Sequence, residues 1–510
     1  MSVTAQEAPV SPAARSGPPS DSAANKITLD TSETFFLFFA GLNSCGYDQE
    51  LSISDPVRNQ IRADVIRAVA ASTDAQFEHK QLCDFVKDHQ APDPARNISQ
   101  YVSLAFYTSE PPTFKTTLRE SDMPPDSQAV LGYLPVLQAF YDAAHLHLLW
   151  TKYQPQYGAY VDRFHDQVAN MILTTDSYLR LPISGYVSRS FSLYIDPLVA
   201  PSEVNARNYG ANYMMLMAPD HGGLKIEPVR HTYLHYILDP LTLKRFNRMI
   251  PLKPLLQTVA NAPLDDKFKT DIALLVTESL IHAVEIRTTP VPGVSGEDRK
   301  ERDKRIEGVR SHQVDDAMQQ GFVLTHYFYD QFADFEKGEI GFQDAFGPML
   351  TNLNLTLGRE QKRAREVTFV KQSSPDLVRS TIRPPSDSLD AAEETLIAGD
   401  AKGAQEIAQE AMKSGSDQAR ATFIVARASS LQGNMQDAIA NFQKTLQLGN
   451  DPRMLAWSHI YLARIFDIQE DRESALKHYN AALNVGDTAP DTKAAAERGL
   501  QKPYEPQRSK

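Results

Sequence analysis

The stretch Gly433-Asn434-Met435-Gln436-Asp437-Ala438-Ile439-Ala440-Asn441-Phe442-Gln443-Lys444-Thr445-Leu446 returns, in altered form, on either side of itself. A short Gly/Asn turn leads into a segment where Ala438, Phe442 and Leu446 occupy every fourth position, which is one face of a helix. Upstream, the turn Gly399-Asp400 opens a matching segment with Ala404, Ala408 and Ala411, and Ala404 lies 34 residues before Ala438. Downstream, Glu470-Asp471 leads to Ala475, Tyr479 and Ala482, with Asp451-Pro452-Arg453 lengthening the interval to 37. The helices in front of these segments match as well: Val425, Ala426 and Ser429 correspond to Leu462, Ala463 and Phe466. A period of this length marks a helix pair that cannot bury its apolar face alone and stacks on copies of itself.

The pattern, across about 105 residues from 385 to 490, resembles the tetratricopeptide repeat. The family's Trp near the start of each repeat is missing, and its closing Pro is displaced to Pro452. The resemblance implies an α-solenoid whose concave groove takes a protein or peptide partner. The same surface could instead pack on the domain upstream. Residues 491–510 are expected to form a C-terminal tail.

Moving outward, Pro375 and Pro384 among serines mark 371–384 as a linker. Residues 1–26, rich in Ala, Pro and Ser, read as an arm without fixed structure. The domain between, 27–370, reads as mostly helical. Phe35 to Leu42 is an eight-residue apolar run, a buried strand or short helix. Asp55-Pro56 supplies an N-cap and a first-position proline for a helix reaching about Ser72. Further helices are expected at 77–89, 97–107, 126–150, 158–176, 265–287, 312–336 and 342–367, with 288–310 as a charged loop. In the middle, Val187, Phe191, Leu193 and Ile195 sit on one face of a half-buried strand, and Tyr213 to Met217 is a strand buried on both faces. Leu224-Lys225-Ile226 is expected as a third, edge strand, stopped by Pro228, with His231 opening a helix.

Composition narrows the function. Of 510 residues, 42% are apolar and 23% charged, within the range of globular proteins, and the length calls for more than one domain. A net charge of -12 without a basic cluster argues against nucleic acid as a partner. No run of 18 or more apolar residues exists, so no transmembrane segment is expected. Two cysteines, Cys45 and Cys83, are too few for a disulfide framework or a thiolate cage and read as half-buried thiols. No signal peptide precedes the fold, which points to the cytoplasm; the small residues Val3-Thr4-Ala5 resemble the end of a signal, and an upstream signal lost from the gene would move the protein to the periplasm or outside.

One constellation suggests chemistry: Arg230-His231-Thr232-Tyr233-Leu234-His235. Two His four residues apart share a helical face and can reach one zinc ion. With 13 His in the chain, about 0.3 such pairs arise by chance, so the spacing alone is weak. A later helix offers Glu278, 43 residues beyond His235. A strand ladder, a His-x-x-x-His helix and a Glu on a following helix resemble the gluzincin zinc metallopeptidases, over roughly 150–290. The resemblance implies a zinc site within 185–290, with His231, His235 and Glu278 as its ligands.

Two departures separate the chain from that family. Thr232 stands where the family has the Glu that takes a proton from zinc-bound water, and loss of a general base costs on the order of 10²–10⁴ in rate. His282 stands where the family often has the Asp that orients a ligand His, which makes His282, with Asp239, a candidate partner of the ligands. In the competing reading Asp271, Glu278, His282 and Glu285 form a solvated stripe, Asp239 satisfies the histidines, and no metal binds. The expected protein is therefore predominantly α: a helical, gluzincin-like domain with a small central β-sheet, followed by the α-solenoid. Its expected function is protein interaction through the repeats, beside a zinc-binding domain without peptidase chemistry. The alternative is a zinc-dependent peptide hydrolase using another base, such as Glu227 or Glu285.

Overall fold

The computed structural model describes every residue except 1–25, 92–93, 119–122, 182–188, 210–211, 220–222, 295–297, 372–377, 381–387, 398–399, 414, 488–489 and 505–510. The first strand, β1 (Lys26–Asp30), leads into α1 (Glu33–Ser44), where Ser32 accepts a hydrogen bond from the Phe35 amide as N-cap. The apolar run expected as strand or short helix is thus a helix. Phe35 through Leu42 are all buried, so α1 is the central rod of a helical bundle. Around it lie α2 (Pro56–Ala70), α3 (Thr73–Asp88), α4 (Pro94–Phe106), α5 (Pro125–Gln128), α6 (Tyr133–Ala143) and α7 (Leu146–Leu179). Asp55 and Pro56 start α2 as their sequence implies, the Asp55 carboxylate accepting from the Val57 amide. The single helix expected over 126–150 is broken, because His145 takes a left-handed conformation with φ of 49° before α7 begins.

Cys45 and Cys83 are half-buried, as expected, but they are joined: a disulfide ties the end of α1 to α3. The closing position is set by packing of α1 on α3, which neither cysteine's local sequence reveals.

Among the described residues the sheet has five strands in the order β1-β2-β4-β3-β5, with β2 at Ser190–Ile195, β3 at Val204–Tyr209, β4 at Asn212–Met217 and β5 at Val378–Ser380. β1 and β4 flank β2 in parallel, β3 runs antiparallel to β4, and β5 joins β3 in parallel. The alternation read for β2 holds, with Phe191, Leu193 and Ile195 buried. Three expectations change. Leu224 to Ile226 is not a strand, since Ile226 already begins a helix. The third strand is β3, whose Asn and Arg residues carry no alternating apolar signal. Part of the segment read as linker supplies β5, so it is pinned to the sheet.

Helix α8 (Ile226–Lys244) starts five residues before His231. Pro228 lies in its first turn, where its missing N–H costs nothing because the first amides of a helix lack intrahelical acceptors. Pro240 lies inside the same helix and cannot donate to the Tyr236 carbonyl; Arg189 Nη1 donates to that carbonyl instead. There follow α9 (Phe246–Met249), a 3-10 segment (Ile250–Val259), α10 (Asp266–Thr270) and α11 (Ile272–Thr288). The long helix expected from Asp265 is split at Asp271, whose carboxylate accepts from the amides of Ala273 and Leu274 and caps α11. The rest of the domain is α12 (Arg299–Gln320), α13 (Thr325–Phe335), α14 (Phe342–Leu355) and α15 (Leu357–Glu366). α12 begins inside the charged region expected to be a loop, capped by Asp298 and largely exposed.

Beyond β5, the described residues form seven helices: α16 (Ser388–Ile397), α17 (Ala401–Lys413), α18 (Gln418–Leu431), α19 (Met435–Leu448), α20 (Pro452–Ile468), α21 (Arg472–Asn484) and α22 (Pro490–Gln501). They bury three small cores, each built from three consecutive helices. Ala404, Ala438 and Ala475, the positions that carry the period, are fully buried. The last helix, α22, lies where a tail was expected; Ala495 and Ala496 close the third of these cores. The first helix, α16, reaches the other way: Ala391 belongs to the core shared with α8, and Lys244 Nζ at the end of α8 lies 3.5 Å from an Asp400 carboxylate oxygen. Among the described residues no helix is long and apolar enough to cross a membrane.

Candidate metal centre

Two helices bring the predicted ligands together. α8 packs one face on the sheet, where Phe191 meets Tyr233 and Tyr236, and turns the His231 and His235 face toward α11. Facing them on α11 is Glu278. His231 Nε2 lies 3.3 Å from one Glu278 oxygen and His235 Nε2 lies 3.1 Å from the other. All three residues are buried.

Those distances can be weighed against a metal. With zinc–ligand bonds near 2.0–2.1 Å, two donors on a tetrahedral ion stand about 3.3 Å apart. The Nε2 atoms are close enough to Glu278 to pair with it electrostatically, yet neither finds a properly directed hydrogen bond. Buried polar atoms are seldom left in that condition. His231, His235 and Glu278, whose donor atoms lie within 4.8 Å of one another, form a group that could hold a metal ion. The donor types present, two imidazole nitrogens and a carboxylate, are ones that suit a zinc ion.

Each imidazole is gripped from behind. His231 Nδ1 lies 3.1 Å from Glu285 Oε1, and His235 Nδ1 lies 3.0 Å from Asp239 Oδ1. A ring that donates its Nδ1 proton to a carboxylate presents Nε2 as the free, basic atom, which is the usual support of a metal-bound His. Asp239 in turn accepts from the Tyr213 hydroxyl and from Asn208 Nδ2, which ties the arrangement to β4 and β3. Glu285 is flanked by His282, whose Nδ1 is 3.5 Å from its second oxygen and whose ring rests on Phe322.

Electrostatics follow from this geometry. Burial alone would lower the pKa of His235, but Asp239 and Glu278 outweigh it and raise it to about 9. Burial likewise works against charge on His231, and Glu285 and Glu278 hold its pKa well above the ordinary value. Burial would raise the carboxylates; His231 and His235 instead hold Glu278 far down, and His231 holds Glu285 at about 2. The imidazoles and the carboxylates thus favour the charged form in one another.

The stripe that could have been solvated is not. Asp271 and Glu278 are buried, His282 and Glu285 half-buried, and Asp271 serves as a helix cap. Asp239 lies behind the His235 ring, and His282 stands one step further out, behind Glu285. Glu285 is the partner that the sequence reading left among possible bases; its seven-residue spacing from Glu278 puts both on one face of α11 and was the available signal. Tyr213 and Asn208 had none, since only strand pairing brings them to Asp239. Thr232 is fully buried, and its hydroxyl donates to the Pro228 carbonyl at 2.9 Å. Compared with protein-family models, with curated proteins and with solved structures, the chain finds no match.

Proposed function

We propose that this chain is a zinc-binding, peptidase-like protein without peptidase chemistry, which engages a protein or peptide partner through C-terminal tetratricopeptide-like repeats. The metal half rests on one observation: two buried Nε2 atoms and a shared Glu278 converge, while Glu285 and Asp239 hold both rings from behind. His231, His235 and Glu278 would hold the zinc, which would supply Lewis acidity and lower the pKa of a bound water. Taking and returning protons requires a further group, and Thr232 is tied to Pro228 while Glu285 is engaged by His231. Glu227 is exposed in the first turn of α8 and remains the carboxylate on which the hydrolase alternative depends. The partner half is supported by the buried period of Ala404, Ala438 and Ala475 and by small cores that each span three consecutive helices.

Elemental analysis tests the metal reading. The purified protein is expected to carry one zinc per chain and the His231→Ala/His235→Ala variant none; full occupancy in that variant defeats the assignment. Incubation of the wild type with peptide libraries is expected to yield no cleavage. Robust cleavage that disappears in His235→Ala and in Glu227→Gln replaces the binding-module reading with that of an enzyme.

A further inference from the structure

A second cluster of soft and borderline donors lies about one bundle away from α8, at the junction of α1 and α3. Cys45 caps the C-terminus of α1, and Cys83 lies on α3. His79, one turn before Cys83 on the same helical face, places Nε2 3.4 Å from the Cys83 sulfur. Donor atoms of Cys45, His79 and Cys83 fall within 4.8 Å of one another. The imidazole is fixed in place by Phe140, whose ring centroid is 5.4 Å away, and by a hydrogen bond to the Ser44 backbone. All three residues are half-buried, so small solutes reach them. A disulfide serving only as a staple between two helices has no use for a positioned imidazole beside one sulfur. Two sulfurs and a ring nitrogen do make a set that suits Zn²⁺ or Cu⁺.

We infer that Cys45, His79 and Cys83 form a redox-gated metal site, closed as the disulfide and able to bind one zinc ion when reduced. The closed state is the one in the structure, with the two sulfurs bonded to each other. A dithiol opens it: one of its thiolates attacks a sulfur of the Cys45–Cys83 bond, the second displaces the mixed disulfide, and the dithiol leaves as its own cyclic disulfide. The two electrons end on Cys45 and Cys83 as thiols. Zn²⁺ then binds two thiolates and the neutral His79 ring, releasing two protons to solvent. In a tetrahedral thiolate site the sulfurs stand about 3.8 Å apart, so opening asks only for side-chain rotation. Oxidation to the disulfide reverses the sequence and expels the ion. The site is separate from His231, His235 and Glu278, and it stands or falls independently of them.

The full-length protein is loaded with zinc, freed of excess by gel filtration, and measured by elemental analysis in two states: oxidised with a disulfide reagent, and reduced with a phosphine, which does not compete for the metal. Reduction is expected to add one equivalent per chain and reoxidation to release it. The added equivalent is expected to vanish in Cys45→Ser and in Cys83→Ser and to bind at least tenfold more weakly in His79→Ala. It is expected to persist in His231→Ala/His235→Ala, which separates it from the other centre. Cobalt(II) gives a second readout on the unaltered chain, a thiolate-to-cobalt charge-transfer band that appears only after reduction. Equal zinc content in the two redox states of the wild type, or a reduction-dependent equivalent that survives both cysteine replacements, overturns the inference.

Discussion

Glu278 stands between two imidazoles, each with another carboxylate at its back, and the charges of this cluster dictate its behaviour. Removing Glu285 or Asp239 leaves the ligands in place but frees a ring to turn and to change tautomer. Glu285→Gln and Asp239→Asn are therefore expected to keep zinc with an affinity lower by about 10–100-fold, read by competition with a chromogenic chelator; unchanged affinity in both would detach these carboxylates from the site. The proton balance gives a second expectation. The His235 pKa is raised in the folded, metal-free chain from 6.5 to about 9, so its contribution to stability is complete below about 6.5 and is lost as pH climbs through about 9. Asp196, raised by burial to about 7, acts in a lower window, between 3.8 and about 7. Chelator-treated protein is expected to show a falling Tm between pH 6.5 and 9, while zinc-loaded protein does not; parallel profiles would count against the cluster as the source. The proximity of His231 and His235 was legible because helical spacing places them on one face. Their supports were not, since Tyr213 and Asn208 arrive through strand pairing.

At the scale of elements, the start of α11 decides how firmly Glu278 is held. The Asp271 cap accepts from two amides, and Glu278 lies only two turns further along. Asp271→Ala is expected to cost about 0.5–2 kcal/mol in urea unfolding. It should weaken zinc binding far less than Glu278→Gln, because fraying is confined to the first turn; an equal loss would mean that the cap and the ligand move together. α8 carries a different weak point. Pro240 leaves the Tyr236 carbonyl to Arg189, so Arg189→Met is expected to strand a buried acceptor at a cost of roughly 1–3 kcal/mol by the same measurement. A variant as stable as wild type would show that solvent reaches that carbonyl. Helix starts were readable where a capping side chain meets an apolar period, as at Asp55-Pro56. The split at Asp271 was missed because the apolar stripe runs on past it, and β3 was missed because Asn205, Arg207 and Asn208 are buried for their hydrogen bonds, not for their apolar surface.

For the whole molecule, the notable junction is between α8 and α16. The core around α8 takes in Ala391, and Lys244 reaches Asp400, so the C-terminal helices are anchored to the helix that carries both histidines. The buried positions Ala404, Ala438 and Ala475 could be read from their spacing, but this docking could not: α16 presents the same small residues whether it meets the next helix in the chain or a distant one. Ala391→Glu puts an unpaired carboxylate into that junction and is expected to destabilise the chain by roughly 2–4 kcal/mol. Limited proteolysis should then cut first between 371 and 388, releasing a helical C-terminal fragment. Loss of the whole chain at one rate, with no such fragment, would mean that the two parts unfold as one unit.

The pairing of β1 with β2 and of β3 with β5 has a bearing on how the chain reaches this state at all. Lys26 lies beside Ser190, and Ala206 beside Val378, so these strands draw on segments from the first described residue to just before the C-terminal helices. Contacts this distant along the chain close large loops before any stabilisation is gained, which slows folding. During synthesis the sheet stays one strand short until residue 380 has left the ribosome, and meanwhile β3 exposes an unpaired edge of amides and carbonyls.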